Sequence, residues 1–310
     1  MSGLESPPQA RSAGATDSGA PPGPPPGPTA LGVDALMPPA IAAKAVEVGV
    51  SKAGMSALRT LALAVLAGAF IGLGAMFATT TVAGAGEAIP FGIQRLLAGF
   101  VFSLGLILVV VAGAELFTGN NLIVMAWAER RVPWRRVARN WALVYAGNLV
   151  GALGTVALVF AGGQYEFGGG EVGASALAIA DFKVGLGFWR ALVLGILCNA
   201  LVCLAIWLTY SARSVTDKIL AVIFPISAFV AAGFEHSIAN MYFLPVGLAI
   251  KEWGSDDFVA ASGTNAGDYP ELTLGNVVAE NLIPVTIGNV IGGSVMVGLA
   301  YWLIYVRTRG

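Results

Sequence analysis

The chain has a single histidine, His236. It sits in an apolar stretch from about Ile219 to Ile250, inside Gly233-Phe234-Glu235-His236-Ser237-Ile238-Ala239-Asn240. Ionisable groups in such a setting are costly and mark a path or a site by default. An imidazole there can exchange a proton near neutral pH. The bland alternative is a satisfied polar cluster between packed helices. A second interruption argues against it: Gly113-Ala114-Glu115-Leu116-Phe117-Thr118-Gly119-Asn120, inside the apolar run from about Phe91 to Trp127. Aligned from Ala112 and Ala232, the two stretches match at Ala, Gly, Glu and Asn. A further pair follows in the same order, Gly147-Asn148-Leu149-Val150-Gly151 and Gly288-Asn289-Val290-Ile291-Gly292. Two matched pairs in one order indicate a duplicated unit.

The elements that carry these stretches are membrane spans. Charged residues make up 11% of the chain and hydrophobic ones 56%, against about 25% charged in a soluble domain. Net charge is −1, which implies no nucleic-acid partner. Cys198 and Cys203 are the only cysteines, so neither a metal set nor a disulfide framework is expected. Residues 1–36 are rich in Pro, Gly, Ala and Ser and read as a disordered tail without a secretory signal. Residues 37–56 read as an amphipathic helix on the membrane surface. The channel domain, 37–306, then holds six apolar segments at 58–82, 91–127, 140–162, 188–210, 219–250 and 280–306, and residues 307–310 form a short C-terminus. A spanning helix needs about 20 apolar residues. The second and fifth segments are too long for one straight helix, so each is read as two half-helices around its acidic break.

Basic residues mark one set of connectors: Arg130, Arg131, Arg135, Arg136 and Arg139; Arg213 and Lys218; Lys44, Lys52 and Arg59; Arg307 and Arg309. The opposite set is acidic, with Glu87, Glu166, Glu171, Asp181, Glu252, Asp256, Asp257, Asp268 and Glu271. Basic loops stay cytoplasmic, which puts both termini inside. Each repeat has an odd number of crossings, so the second copy runs in the opposite sense. Inverted repeats with broken helices are a transporter and channel architecture. Half-helix starts offer free N–H groups to a small anion. Thr118 and Ser237 add hydroxyls. Lys183 either draws anions toward the outer mouth or is an interfacial lysine. Phe102 and Phe229 either narrow a pore or pack the core. Glu115 and Glu235 are expected to accept hydrogen bonds from the loop backbone, with Asn120 and Asn240 as further braces.

Phe234 to Met241, Leu116 to Thr118, Arg139-Asn140-Trp141, the spacing from Lys183 to Asn199, and Asn281 to Asn289 together resemble the formate/nitrite transporter family. The likeness spans about residues 37–306 and within the family is strongest to the bacterial formate channels. It implies a homopentamer in the bacterial cytoplasmic membrane, each protomer an aquaporin-like all-α fold with its own pore and no cofactor. It also implies residue roles. His236 is the pore histidine and Thr118 its hydrogen-bonding partner. Leu116 and Phe117 belong to a mobile loop, Phe102, Leu106 and Phe229 form constrictions, and Lys183 and Asn199 lie near the outer vestibule and pore. Formate is the implied solute, passing in either direction with pH, and a formate-metabolising enzyme is an implied partner at the cytoplasmic face. Nitrite and hydrosulfide are the rival solutes. An aquaporin-type neutral pore lacks its Asn-Pro-Ala pair here. An intramembrane serine hydrolase on Ser237 and His236 requires two adjacent residues to aim at each other, which one loop seldom allows.

Overall fold

A computed structural model describes residues 35–307 of the chain, and all regular structure among them is helical. The expected tail at 1–36 falls almost wholly outside the described residues, as does most of 307–310. The helices are α1 Pro38–Gly54, α2 Ala57–Val82, α3 Phe91–Ala112, α4 Val124–Ala128 and α5 Trp134–Ala161, followed by α6 Glu171–Val184, α7 Phe188–Ser211, α8 Val215–Ala231, α9 Ser237–Trp253 and α10 Asp256–Ser262. A last helical run, α11, covers Leu274–Tyr305 and includes two π-helical stretches. Among the described residues five helices are long and apolar enough to cross a membrane: α2, α3, α5, α7 and α11.

Two expected spans, 140–162 and 280–306, begin earlier than read, and the two long runs are each interrupted at the acidic stretch. The run 91–127 is continuous helix only to Ala112, where Gly113 adopts φ 84 and a 3-10 turn and α4 follow. The run 219–250 is α8 and α9, separated by residues 232–236 with Gly233 at φ 74. The left-handed backbone at each glycine ends a helix that a side chain would strain. The last run starts at Leu274 rather than 280. Pro133 caps α5, so Arg135, Arg136 and Arg139 lie on its first turns and not in a connector. Likewise Glu171 and Asp181 belong to α6, a 14-residue helix that the acidic loop reading missed.

Helix contacts in an apolar medium come from close packing of small residues rather than from water exclusion. Gly68 of α2 lies against the Asn148 carbonyl of α5, and Gly151 of α5 against the Val65 carbonyl of α2. Gly288 and Gly292 of α11 meet the Leu192 and Ile196 carbonyls of α7 in the same manner. A Cβ at any of the four would run into backbone. Helix α1 does more than rest on a surface: Ile41, Ala42, Ala45, Val46, Gly49 and Ala53 are buried. Lys44 Nζ donates to the Tyr210 carbonyl at 2.7 Å. Burial, then the charges of Arg213 and Lys218, hold the Lys44 ammonium below its ordinary range.

Candidate functional site

Two non-helical segments, after α3 and after α8, carry the residues of interest. Backbone groups there have no helical partner and must be satisfied within the protein. One asparagine does most of this for each segment. Asn289 Nδ2 donates to the Gly195 carbonyl at 2.8 Å and the Glu235 carbonyl at 3.0 Å, and its Oδ1 accepts from the Ser237 N–H at 2.9 Å. Asn148 Nδ2 donates to the Ala64 carbonyl at 2.7 Å and the Glu115 carbonyl at 3.0 Å, and its Oδ1 accepts from the Phe117 N–H at 2.9 Å. The Glu235 and Glu115 N–H groups donate to the Leu194 and Leu63 carbonyls, at 3.3 and 3.2 Å.

The two carboxylates were expected to accept from loop backbone. They accept from side chains instead. Glu235 Oε1 pairs with Lys183 Nζ at 2.7 Å, while Oε2 accepts from Asn240 Nδ2 at 2.7 Å and Asn281 Nδ2 at 3.1 Å. Glu115 Oε1 pairs with Lys52 Nζ at 2.7 Å, and Oε2 accepts from Asn120 Nδ2 at 2.7 Å. Asn140 and Asn281 take matching places: each accepts from the loop asparagine and donates to the carbonyl of its lysine, Lys52 or Lys183. Sequence reading assigned Lys52, Asn140 and Asn281 no such part. The available signal was Lys52-Ala53-Gly54 against Lys183-Val184-Gly185, a lysine two residues before a helix-ending glycine in both halves.

His236 is the N-cap of α9. Its Nδ1 accepts from the Ala239 N–H at 3.0 Å, and its Nε2 lies 2.9 Å from Thr118 Oγ1. An accepting Nδ1 puts the ring proton of neutral imidazole on Nε2, which then donates to Thr118 and leaves that hydroxyl's own hydrogen for another acceptor. Both ring nitrogens are thereby engaged, and no bond joins His236 to Ser237 Oγ, which has no partner among the described residues. The nucleophile and base of a hydrolase are not assembled. Phe229 stacks on the imidazole with centroids 5.8 Å apart, and Phe102 meets Phe229 edge-on at 5.7 Å. His236, Phe102 and Phe229 line a cavity of about 580 Å³ together with Lys183, Arg95 and Arg190. A second cavity, about 240 Å³, is lined by Lys52, Glu115, Leu116 and Asn120.

Leu106, Phe117, Thr118 and Asn199 are buried without lining either cavity. Leu106 is core. Phe117 packs edge-on against Tyr145 at 5.0 Å and Trp141 at 6.2 Å. Asn199 gives its amide to the Thr118 carbonyl at 3.3 Å, Asn121 Oδ1 at 2.9 Å and the Asn289 carbonyl at 2.7 Å, tying the two segments together. Arg95 caps α8 by donating to the Val230 and Ala231 carbonyls. No group of three or more potential metal ligands gathers among the described residues.

The sequence profile described as formate/nitrite transporter matches residues 39–303. The formate channel FocA of Escherichia coli (strain K12) is 48% identical over 274 residues, 88% of this chain and 96% of that one. FocA of Haemophilus influenzae is 42% identical, covering 75% of this chain and 82% of that protein. A solved structure described as a pentameric formate channel with formate bound superposes with a TM-score of 0.77 at 46% identity, over 81% of this chain and 98% of that one. An FNT family ion channel superposes with a TM-score of 0.70 at 28% identity, over 86% and 98% of the two chains.

Proposed function

The chain belongs to the formate/nitrite transporter family, and from that premise we propose that it is a multi-pass membrane channel for formate, working as a homopentamer. The breaks at residues 113–118 and 232–236 interrupt the second and fifth of six crossings, which form two inverted halves. The matched hydrogen-bond networks around Glu115 and Glu235 support that reading. Basic residues concentrate at one end, which is assigned to the cytoplasm together with both termini. The 580 Å³ cavity is then the outer vestibule and the 240 Å³ cavity the inner one.

A bare carboxylate in a water-poor passage pays a desolvation cost far above thermal energy. Each Glu–Lys pair is neutral as a unit, so neither break presents a net negative charge to an anion. From the outer side, the solute reaches the Phe102–Phe229 pair and then the His236–Thr118 pair. Thr118 O–H, held by the Nε2–H of His236, is the donor offered to the carboxylate. A charged imidazolium would have to protonate Nδ1 and so surrender the Ala239 N–H that starts α9. A hydrogen-bond relay from Nε2–H through the hydroxyl to the carboxylate transfers no proton and keeps that cap intact.

The observation that carries this reading is the buried His236–Thr118 contact at 2.9 Å beside the vestibule wall. Formate flux into proteoliposomes, followed across pH for the native protein, His236→Ala and His236→Phe, tests it. Loss of flux or of its pH dependence in the variants is expected. Variants that match the native protein in both would remove His236 from the mechanism, and absence of formate flux in the native protein would remove the function.

A further inference from the structure

Five aromatic rings form an unbroken chain from the cytoplasmic end of the bundle to the first break. Trp127, one residue before the end of α4, meets Trp134 edge-on at 5.7 Å. Trp134, the first residue of α5, meets Trp141 at 5.5 Å. Trp141 meets Phe117 at 6.2 Å, and Phe117 meets Tyr145 at 5.0 Å. The buried end of the chain is tied down. Trp141 Nε1 donates to the Asn120 carbonyl at 3.0 Å, and the Tyr145 hydroxyl lies 2.9 Å from that of Thr286. The far end is not: Trp127 is 40% and Trp134 48% exposed.

That end also carries cations with nothing to neutralise them. Arg130, between the two tryptophans, adopts φ 59, the only positive φ outside glycine among the described residues. Its N–H donates to the Trp127 carbonyl at 2.9 Å and that of Arg131 to the Ala126 carbonyl at 3.0 Å. This is the hydrogen-bond pattern of a helix end where glycine is the favoured residue. Left-handed backbone is costly for a residue with a Cβ, so a guanidinium is carried there against local preference. Arg131 is paired with Glu47, and Glu129 accepts from Trp302 Nε1 at 2.8 Å. Arg130, Arg135 and Arg136 are exposed and make no side-chain hydrogen bond or ion pair among the described residues.

Tryptophans sit at the headgroup level of a bilayer. The cytoplasmic leaflet carries anionic lipid, which attracts Lys and Arg. We propose that Trp127 and Trp134, with Arg130 and Arg135, hold an anionic phospholipid of that leaflet. The guanidinium groups take its phosphate, and the two indoles take the glycerol and the start of an acyl chain. A bound lipid stiffens the ring chain as far as Phe117, keeps the adjacent Thr118 against His236, and so raises formate flux. The effect on flux rests on the channel reading, whereas the binding does not and is measured separately.

Native mass spectrometry of the full-length protein, released from micelles with phosphatidylglycerol or phosphatidylcholine, counts bound lipid. Arg130→Gly keeps the turn, since glycine accepts its φ, and Arg135→Gln keeps α5. Each should weaken phosphatidylglycerol binding about fivefold, the worth of one basic residue near an anionic surface. Phosphatidylcholine binding should not change, and glycerol 3-phosphate should not displace the lipid. In phosphatidylcholine proteoliposomes the native protein and the double variant should conduct formate equally. In phosphatidylglycerol the native protein should exceed the variant at least about twofold, the lower end of coupling through a packed network. Comparing the two proteins in one membrane cancels the repulsion of formate by the charged surface. Equal phosphatidylglycerol binding by native protein and variants, or displacement by glycerol 3-phosphate, would overturn the docking place. Variants that lose their pentamer but keep their lipid would overturn it too, making the patch a subunit contact. Lost binding with equal flux in phosphatidylglycerol would overturn the coupling through the rings. Lipid held by a native protein that passes no formate would leave the docking place standing and dismiss the transport function.

Discussion

Removing the ammonium of Lys183 strands a carboxylate that has almost no access to water. Glu235 is 1% exposed and Lys183 12%, whereas the matching Glu115 and Lys52 are 6% and 24% exposed. Breaking a buried pair from one side costs about 3–5 kcal/mol. A stranded carboxylate escapes by taking a proton. For a carboxyl with an ordinary pKa of about 4.3 that costs about 3.7 kcal/mol at pH 7 and about 1 kcal/mol at pH 5. Lys183→Met should therefore lose about 3–4 kcal/mol of unfolding free energy at pH 7, and the loss should shrink to about 1 kcal/mol at pH 5. The sign follows from proton count: the folded variant holds one proton that its unfolded chain releases, so acid stabilises it relative to the native protein. Lys183→Met with Glu235→Gln should recover most of the loss at pH 7. Lys52→Met, where water can reach the vacated place, should cost only about 1–2 kcal/mol. Denaturant titration in mixed micelles at the two pH values measures all four proteins. A penalty that does not fall between pH 7 and pH 5, or a double variant no more stable than Lys183→Met, would refute the reasoning.

Gly68→Ala puts a Cβ into the Asn148 carbonyl, so it should prevent folding, seen as loss of the monodisperse species in detergent. Gly154→Ala on α5 meets nothing within 4 Å, and should instead stabilise by about 0.5–1 kcal/mol through backbone entropy. Thr118→Val removes the partner of His236 Nε2 and should reduce formate flux at least about tenfold, whereas Thr118→Ser retains the hydroxyl and most of the flux. Phe229→Ala deletes the ring between Phe102 and His236. It should raise acetate flux relative to formate above the ratio of the native protein.

Membrane class, the positions of both interruptions and the matched placement of Glu115, Asn120, Glu235 and Asn240 were legible because each is a local departure from an apolar background. A glycine, an acid and an amide inside such a run stand out whatever the fold. The partners of those acids were not legible. Lys52 and Lys183 lie far from Glu115 and Glu235 in sequence and meet them only after folding. Asn140 and Asn281 likewise act across the bundle. Basic and acidic residues were sorted by loop, which hid Lys52 among orientation signals and dissolved α6 into a connector because Glu171 and Asp181 sit on it. The start of α5 was misplaced by six residues, from 134 to 140, because Arg135, Arg136 and Arg139 suppress hydropathy without ending the helix that Pro133 begins.

The two breaks share a scaffold and differ in what it presents. In the alignment Leu116 stands opposite His236, Phe117 opposite Ser237 and Thr118 opposite Ile238. The imidazole comes from one segment and the hydroxyl from the other, so the pair exists only across the halves. Exchanging His236→Leu with Leu116→His moves the ring to the opposite segment, where the residue opposite is Ile238, which cannot hydrogen-bond it. Flux should stay lost. Adding Thr118→Ile and Ile238→Thr returns a hydroxyl to the facing place, because Asn148 holds the first segment through the same three bonds that Asn289 makes to the second. Formate flux in the fourfold exchange should exceed that of the double exchange at least about fivefold, the minimum expected when a buried hydrogen-bonding partner is regained. Equal flux in the two would mean that the halves are not interchangeable supports, and that His236 depends on surroundings beyond Thr118 and its asparagine brace.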